Sequence, residues 1–145
     1  MGEYTVKRTL IGQLERDSDL YNGITRIAQE NNIRIGRVAG IGAVQRAKLA
    51  YYDQRLLKYE DIELNEPMEI VSLSGNISLK DGKPFVHAHI VLSDEGGKTQ
   101  GGHLLPGGTP IFACELTIEE YHGPPLERGI DKDTGLTLWP KERTL

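Results

Sequence analysis

The sequence predicts an α+β fold: a mostly antiparallel sheet or barrel of about seven strands with one main amphipathic helix. Three observations carry this. Only one segment has a helical period, about Asp19 to Asn31, where Leu20, Ile24, Ile27 and Ala28 recur at the spacing of one helix face. The second half of the chain holds three long β-type runs, Met68–Leu79, Pro84–Leu92 and Pro110–Tyr121. The first two of these flank Asp81-Gly82, the strongest short-range hairpin signal.

Each element follows from local chemistry. Tyr4–Leu14 mixes apolar and polar residues and reads as a strand. Asp17 and Ser18 offer an N-cap for the helix, and Asn31-Asn32 offers a stop. Ile33–Val38, Ala47–Asp53 and Leu57–Leu64 read as further strands. Between them, Gly36 to Gln45 has two glycines of a dinucleotide fingerprint. Gln45 holds the third glycine's place and a strand follows where a helix is needed, so a tight turn is expected there and no nucleotide site. The glycine-rich stretch Gly96–Gly108 lacks the Lys-Ser/Thr of a P-loop and reads as a lid or a connector. Asp131-x-Asp133-x-Gly135 lacks the further acids of a calcium loop and reads as a turn. No Gly-x-Ser-x-Gly nucleophile elbow is present, and Trp139 is expected to pack against the body.

The 145 residues are expected to form one domain, 1–145, large enough for a core without disulfides. The lone cysteine, Cys114, allows no internal disulfide and is expected to be a small buried hydrophobe. With no apolar signal segment in Met1–Leu14 and no apolar run of membrane-spanning length, a cytoplasmic location without a membrane partner is expected. The formal net charge of -4 argues against stand-alone DNA binding, because phosphate contacts need a basic excess. Arg34, Arg37, Arg46 and Lys48 are the best local basic patch, and a solvated mixed-charge face explains them as well.

Chemistry concentrates in the hairpin. If Asp81-Gly82 is a two-residue loop, His89 stands opposite Ser74, His87 opposite Asn76 and Phe85 opposite Ser78. One face then carries Val71, Leu73, Ile77, Leu79, Val86, Ala88, Ile90 and Leu92, a core face. The other carries Ser72, Ser74, Asn76 and Ser78 around the two histidines, without any charged residue, and Ser72, Ser74 and Asn76 are expected to line a pocket. His-x-His on a strand points two imidazoles to one side, where they can share a metal. His103, preceded by Gly101-Gly102, is the third candidate ligand. Three neutral nitrogen ligands leave zinc an open position, the arrangement of catalytic sites. In the last long strand, Phe112, Cys114, Leu116 and Ile118 are expected to face the core. Glu115 falls on the other face as a candidate fourth ligand, hydrogen-bond partner of a ligand, or general base. His122, in a Gly-Pro-Pro turn, reads as surface.

The chain resembles the PPC ("plants and prokaryotes conserved") domain, of the prokaryotic single-domain type. The resemblance runs through Glu66-Pro67-Met68-Glu69-Ile70-Val71-Ser72-Leu73-Ser74-Gly75-Asn76-Ile77, Gly82-Lys83-Pro84-Phe85-Val86-His87-Ala88-His89, Gly101-Gly102-His103-Leu104, Phe112-Ala113-Cys114-Glu115 and Arg128 to Trp139. It implies an α+β domain that assembles as a homotrimer, with a histidine cluster at His87, His89 and His103. It also implies a DNA-associated or regulatory label, which in plant members accompanies AT-hook motifs. This chain has no Arg-Gly-Arg-Pro motif and no basic tail. The fold further resembles acetolactate decarboxylase, a zinc enzyme with His-x-His plus His. Three readings follow: a trimeric DNA-associated regulator, a zinc-dependent enzyme of lyase or hydrolase type acting on a small molecule, and a metal with a sensing or structural role.

Overall fold

The structure is a computed structural model that describes residues 2–141. Its one helix, α1 (Leu20–Glu30), begins one residue later than Ser18 would place it. Asp19 is the cap: its Oδ1 accepts from the Asn22 N–H at 3.0 Å, and its carboxylate also accepts from the N–H groups of Gly107, Gly108 and Thr109. A cap that also ties down a distant loop wins over its neighbours Asp17 and Ser18. The helix ends at Asn31, followed by Asn32 at a φ of 51°. Leu20, Ile24 and Ala28 are fully buried on its inner face.

Eight strands form one sheet: β1 (Thr5–Gln13), β2 (Gly36–Val44), β3 (Ala47–Asp53), β4 (Lys58–Leu64), β5 (Met68–Lys80), β6 (Lys83–Ser93), β7 (Thr99–Leu104) and β8 (Ile111–His122). Their order is β1-β8-β2-β5-β6-β7-β3-β4, with every neighbouring pair antiparallel. β9 (Gly129–Ile130) and β10 (Thr137–Leu138) pair separately. The α+β class and the antiparallel sheet agree with the expectation. The apolar face of the helix shares one buried core with Leu73, Ile77, Ile90, Leu92 and Ile118 of the sheet. Tyr21 fastens it there by donating to the Val86 carbonyl at 3.2 Å.

The β5–β6 hairpin has the predicted register, with Ser74 opposite His89, Asn76 opposite His87 and Ser78 opposite Phe85. Asp81 (φ 53°) and Gly82 (φ 71°) both adopt the left-handed conformation that a two-residue hairpin loop requires. Three expectations are corrected. The glycine stretch expected as a turn continues as β2. Gly42 does take a positive φ, 147°, but inside a strand at a bulge, where a Cβ would lie 2.1 Å from the Ala113 carbonyl oxygen. Val71 is not in the core: a register shift between Ile70 and Ser72 turns it outward, 51% exposed. A second shift, between Ala43 and Val44, likewise leaves Phe112 52% exposed and buries Ile111 instead. Cys114, Leu116 and Ile118 are buried as expected.

Candidate metal centre

The lid-or-connector stretch holds β7, and this strand builds the site. Gly101 pairs with Val91 on β6, and Gly102 faces Leu49–Ala50 on β3. A Cβ on Gly101 would lie 2.3 Å from the Ile90 carbonyl oxygen, and one on Gly102 2.8 Å from that of Ala50. Glycines are therefore what allows β7 to fit between its two neighbours. That fit sets His103 directly opposite His89. His87 stands two residues along β6 on the same face as His89. The ring centroids form a near-equilateral triangle: 5.2 Å for His87–His89, 5.1 Å for His87–His103 and 5.5 Å for His89–His103. One nitrogen from each ring lies within 4.8 Å of the other two.

The electrostatics suit metal ligation. Burial, then the charge of Arg128 and the neighbouring imidazoles, lower His87 to about 4. Burial, His89 and Arg128 lower His103 to about 4. Both rings are neutral near pH 7 and present lone pairs without first losing a proton. His103 Nδ1 is buried and has no hydrogen-bond partner, an orphaned polar atom of the kind that a bound ion satisfies. Donor chemistry and orphaned nitrogen together fit a borderline-soft divalent ion such as zinc.

A cavity of about 560 Å³ opens over the cluster. Tyr52 and Tyr59 form one wall, Phe85 with His87 and His89 another, and the chain from Gly135 to Leu138 the roof. Tyr59 stacks beside His103 at 5.1 Å between centroids, and Tyr52 donates to the Thr134 carbonyl to hold the roof. The predicted pocket residues fall elsewhere. Ser72 and Ser74 are exposed on the open sheet face, and Asn76 is occupied by Arg128. The cavity lies toward β7 and β3, and β7 was the strand that composition concealed. Glu115 is also displaced: it sits exposed on β8, which β2 and β5 separate from β6. That is three strand spacings, about 14 Å along the sheet, and no contact within this chain links it to the histidines.

Arg128 is the residue that the sequence reading missed. It is 7% exposed and donates from Nε to Ser78 Oγ (2.7 Å), from Nη1 to the Thr137 carbonyl (3.0 Å) and from Nη2 to Asn76 Oδ1 (2.6 Å). Phe85 and Trp139 flank its guanidinium, with ring centroids 5.6 and 5.2 Å away. The charge-free polar face of β5 was its signal, since Ser78 and Asn76 are acceptors awaiting a donor. The Asp131–Gly135 stretch forms a turn in which Asp131 accepts from Thr134, and Cys114 is a buried residue whose thiol burial raises to about 11.

The family profile of the Plants and Prokaryotes Conserved (PCC, also written PPC) domain matches residues 1–122. The chain belongs to this family. Solved structures share its fold closely. A metal-containing protein from Archaeoglobus fulgidus superimposes with a TM-score of 0.91 at 40% identity, over 97% of this chain and 99% of that one. A plant- and prokaryote-conserved protein from Pyrococcus horikoshii gives 0.91 at 34% identity, over 97% and 96%. A protein from Bacteroides thetaiotaomicron, provisionally named as DNA-binding, gives 0.85 at 25% identity, over 99% of both chains. Among curated proteins, the bifunctional protein GlmU of Synechococcus sp. (strain JA-3-3Ab) is 33% identical over 118 residues. That is 81% of this chain but only 18% of that protein, so the likeness concerns one module of a much longer protein. No helix of the PCC domain described here is long and apolar enough to cross a membrane.

Proposed function

We propose that this protein binds a single divalent metal ion, zinc, through His87, His89 and His103 and presents its open position to a small molecule in the cavity above. The observation that carries this is the triangle of three buried-to-exposed imidazoles, one nitrogen of each within 4.8 Å of the others, on two hydrogen-bonded neighbouring strands. When bound, zinc supplies Lewis-acid polarisation of an oxygen at its open position. The chain's own residues do the rest. The three rings fix the ion, Tyr52, Tyr59 and Phe85 supply aromatic walls beside it, and Arg128 holds the roof at Thr137. This favours the small-molecule reading, of lyase or hydrolase type, over a purely structural ion, for which a closed set of four ligands is usual. Metal analysis of purified protein tests it. About one ion per chain is expected in the wild type and almost none in a His87→Ala/His89→Ala variant. Equal sub-stoichiometric metal in both refutes the reading.

Homotrimeric assembly is the second part of the proposal. Ile41, Val71 and Val91 are exposed on the adjacent strands β2, β5 and β6, an apolar patch of the sort that subunit contacts cover. The expected solution mass is three times the 16.1 kDa of the chain, and a monomer by light scattering would refute it. Direct DNA binding draws support only from the names of relatives. The net charge of -4 opposes it, so no salt-dependent duplex binding at micromolar protein is expected.

A further inference from the structure

The cavity over the histidines differs from the rest of the molecule in charge. The chain has more acidic than basic residues, 21 against 17, yet among the described residues no Asp or Glu lines this cavity. Lys80 stands on its wall, with its ammonium 5.4 Å from the centre of the Phe85 ring. Arg128 lies directly behind the wall and roof, against Phe85 and bonded to the carbonyl of Thr137. Among the described residues neither cation is in an ion pair. The three hydrogen bonds of Arg128 all go to neutral acceptors and account for three of its five N–H groups.

A buried charge without a counter-charge is costly, and a fold retains one where something else supplies the opposite sign. Among the described residues no carboxylate supplies that opposite sign, and the cavity beside Arg128 is open to one that does. A metal on the histidines would add two further positive charges, and to that extent the inference rests on the metal reading above.

We infer that the cavity takes a small organic carboxylate, its charge met by Lys80, Arg128 and the metal, its apolar or aromatic body seated among Tyr52, Tyr59 and Phe85. The walls favour a carboxylate over a phosphate. They present aromatic faces, and no helix N-terminus opens onto them, so the array of backbone N–H groups that three phosphate oxygens call for is missing. The volume of about 560 Å³ suits a metabolite-sized ligand.

Calorimetric titration of zinc-loaded protein tests this, with metal content measured on the same sample. The probes are benzoate, benzamide as its uncharged twin, and inorganic phosphate. Benzoate is expected to bind at least tenfold more tightly than benzamide and more tightly than phosphate. Lys80→Gln, at an exposed side chain, is expected to weaken benzoate at least threefold with zinc content unchanged. Arg128→Gln should weaken it about tenfold, and Arg128→Lys, which keeps the charge, much less. Benzamide binding within twofold of benzoate, phosphate binding more tightly than benzoate, or Lys80→Gln binding benzoate like the wild type would each overturn the carboxylate assignment. One zinc per chain with no benzoate binding at millimolar concentration overturns the ligand and leaves the metal site standing. Less than about a fifth of a zinc per chain overturns both.

Discussion

Two buried charged side chains of this molecule, Glu120 and Arg128, are held in different ways. Glu120 on β8 is 5% exposed and is met by Lys7 Nζ at 2.8 Å and Arg8 Nε at 2.5 Å, both from the edge strand β1. Burial alone would push its carboxyl up, but the hydrogen bonds from Lys7 and Arg8 outweigh this and hold it below its ordinary value. Arg128 is buried to a similar degree and is met by a hydroxyl, an amide and a carbonyl. Burial lowers it from its ordinary value, and only the tyrosines Tyr21 and Tyr59 pull the other way. A charge that only joins two strands is neutralised where it stands. A charge left unneutralised beside a cavity points to what enters that cavity.

The largest effect that sharpens this contrast is on stability. Arg128→Met leaves Ser78, Asn76 and the Thr137 carbonyl without their donor, and a loss of about 2–3 kcal/mol is expected in denaturant unfolding. Glu120→Gln should cost less, about 1 kcal/mol, because Lys7 and Arg8 are half exposed and can return to water. Equal costs would erase the distinction. The smallest effect is electrostatic and is read by NMR titration of metal-free protein. Arg128→Gln should raise the midpoints of His87 and His103 toward the ordinary histidine value, while Glu120→Gln moves neither. The same groups set an acid limit. Their folded midpoints of about 4 lie below the unfolded value near 6.5, so the unfolded chain binds more protons in between. Stability of the metal-free protein should be full above about pH 6.5 and fall as the pH drops toward 4, seen as a declining Tm. A flat profile would contradict the burial of these rings.

Much of the fold was legible because its signals are local. The helix follows from Leu20, Ile24 and Ala28, and Asp81-Gly82 dictates the loop, which in turn sets His87 opposite Asn76. What escaped was either masked by glycine or non-local. Gly101 and Gly102 carry little strand propensity, yet their missing Cβ atoms are the reason β7 can insert and deliver His103. Val71 and Phe112 were misplaced because a bulge resets the alternation of faces from one residue onward. Glu115 has a face that periodicity reveals, but strand order does not appear in periodicity, so its distance from the histidines could not be read. Arg128 acts across 50 residues on Ser78, a contact that no spacing rule anticipates.

The pairing of His89 with His103 carries one more consequence. All three imidazoles are mounted on strands whose backbones are locked to one another, so the conformational entropy of gathering them is lost when the sheet forms and not when an ion arrives. Ion capture is then close to a rigid-body event. It should leave the far-ultraviolet spectrum unchanged, proceed without a slow folding phase, and draw its selectivity from the fixed size of the triangle rather than from any rearrangement around the guest.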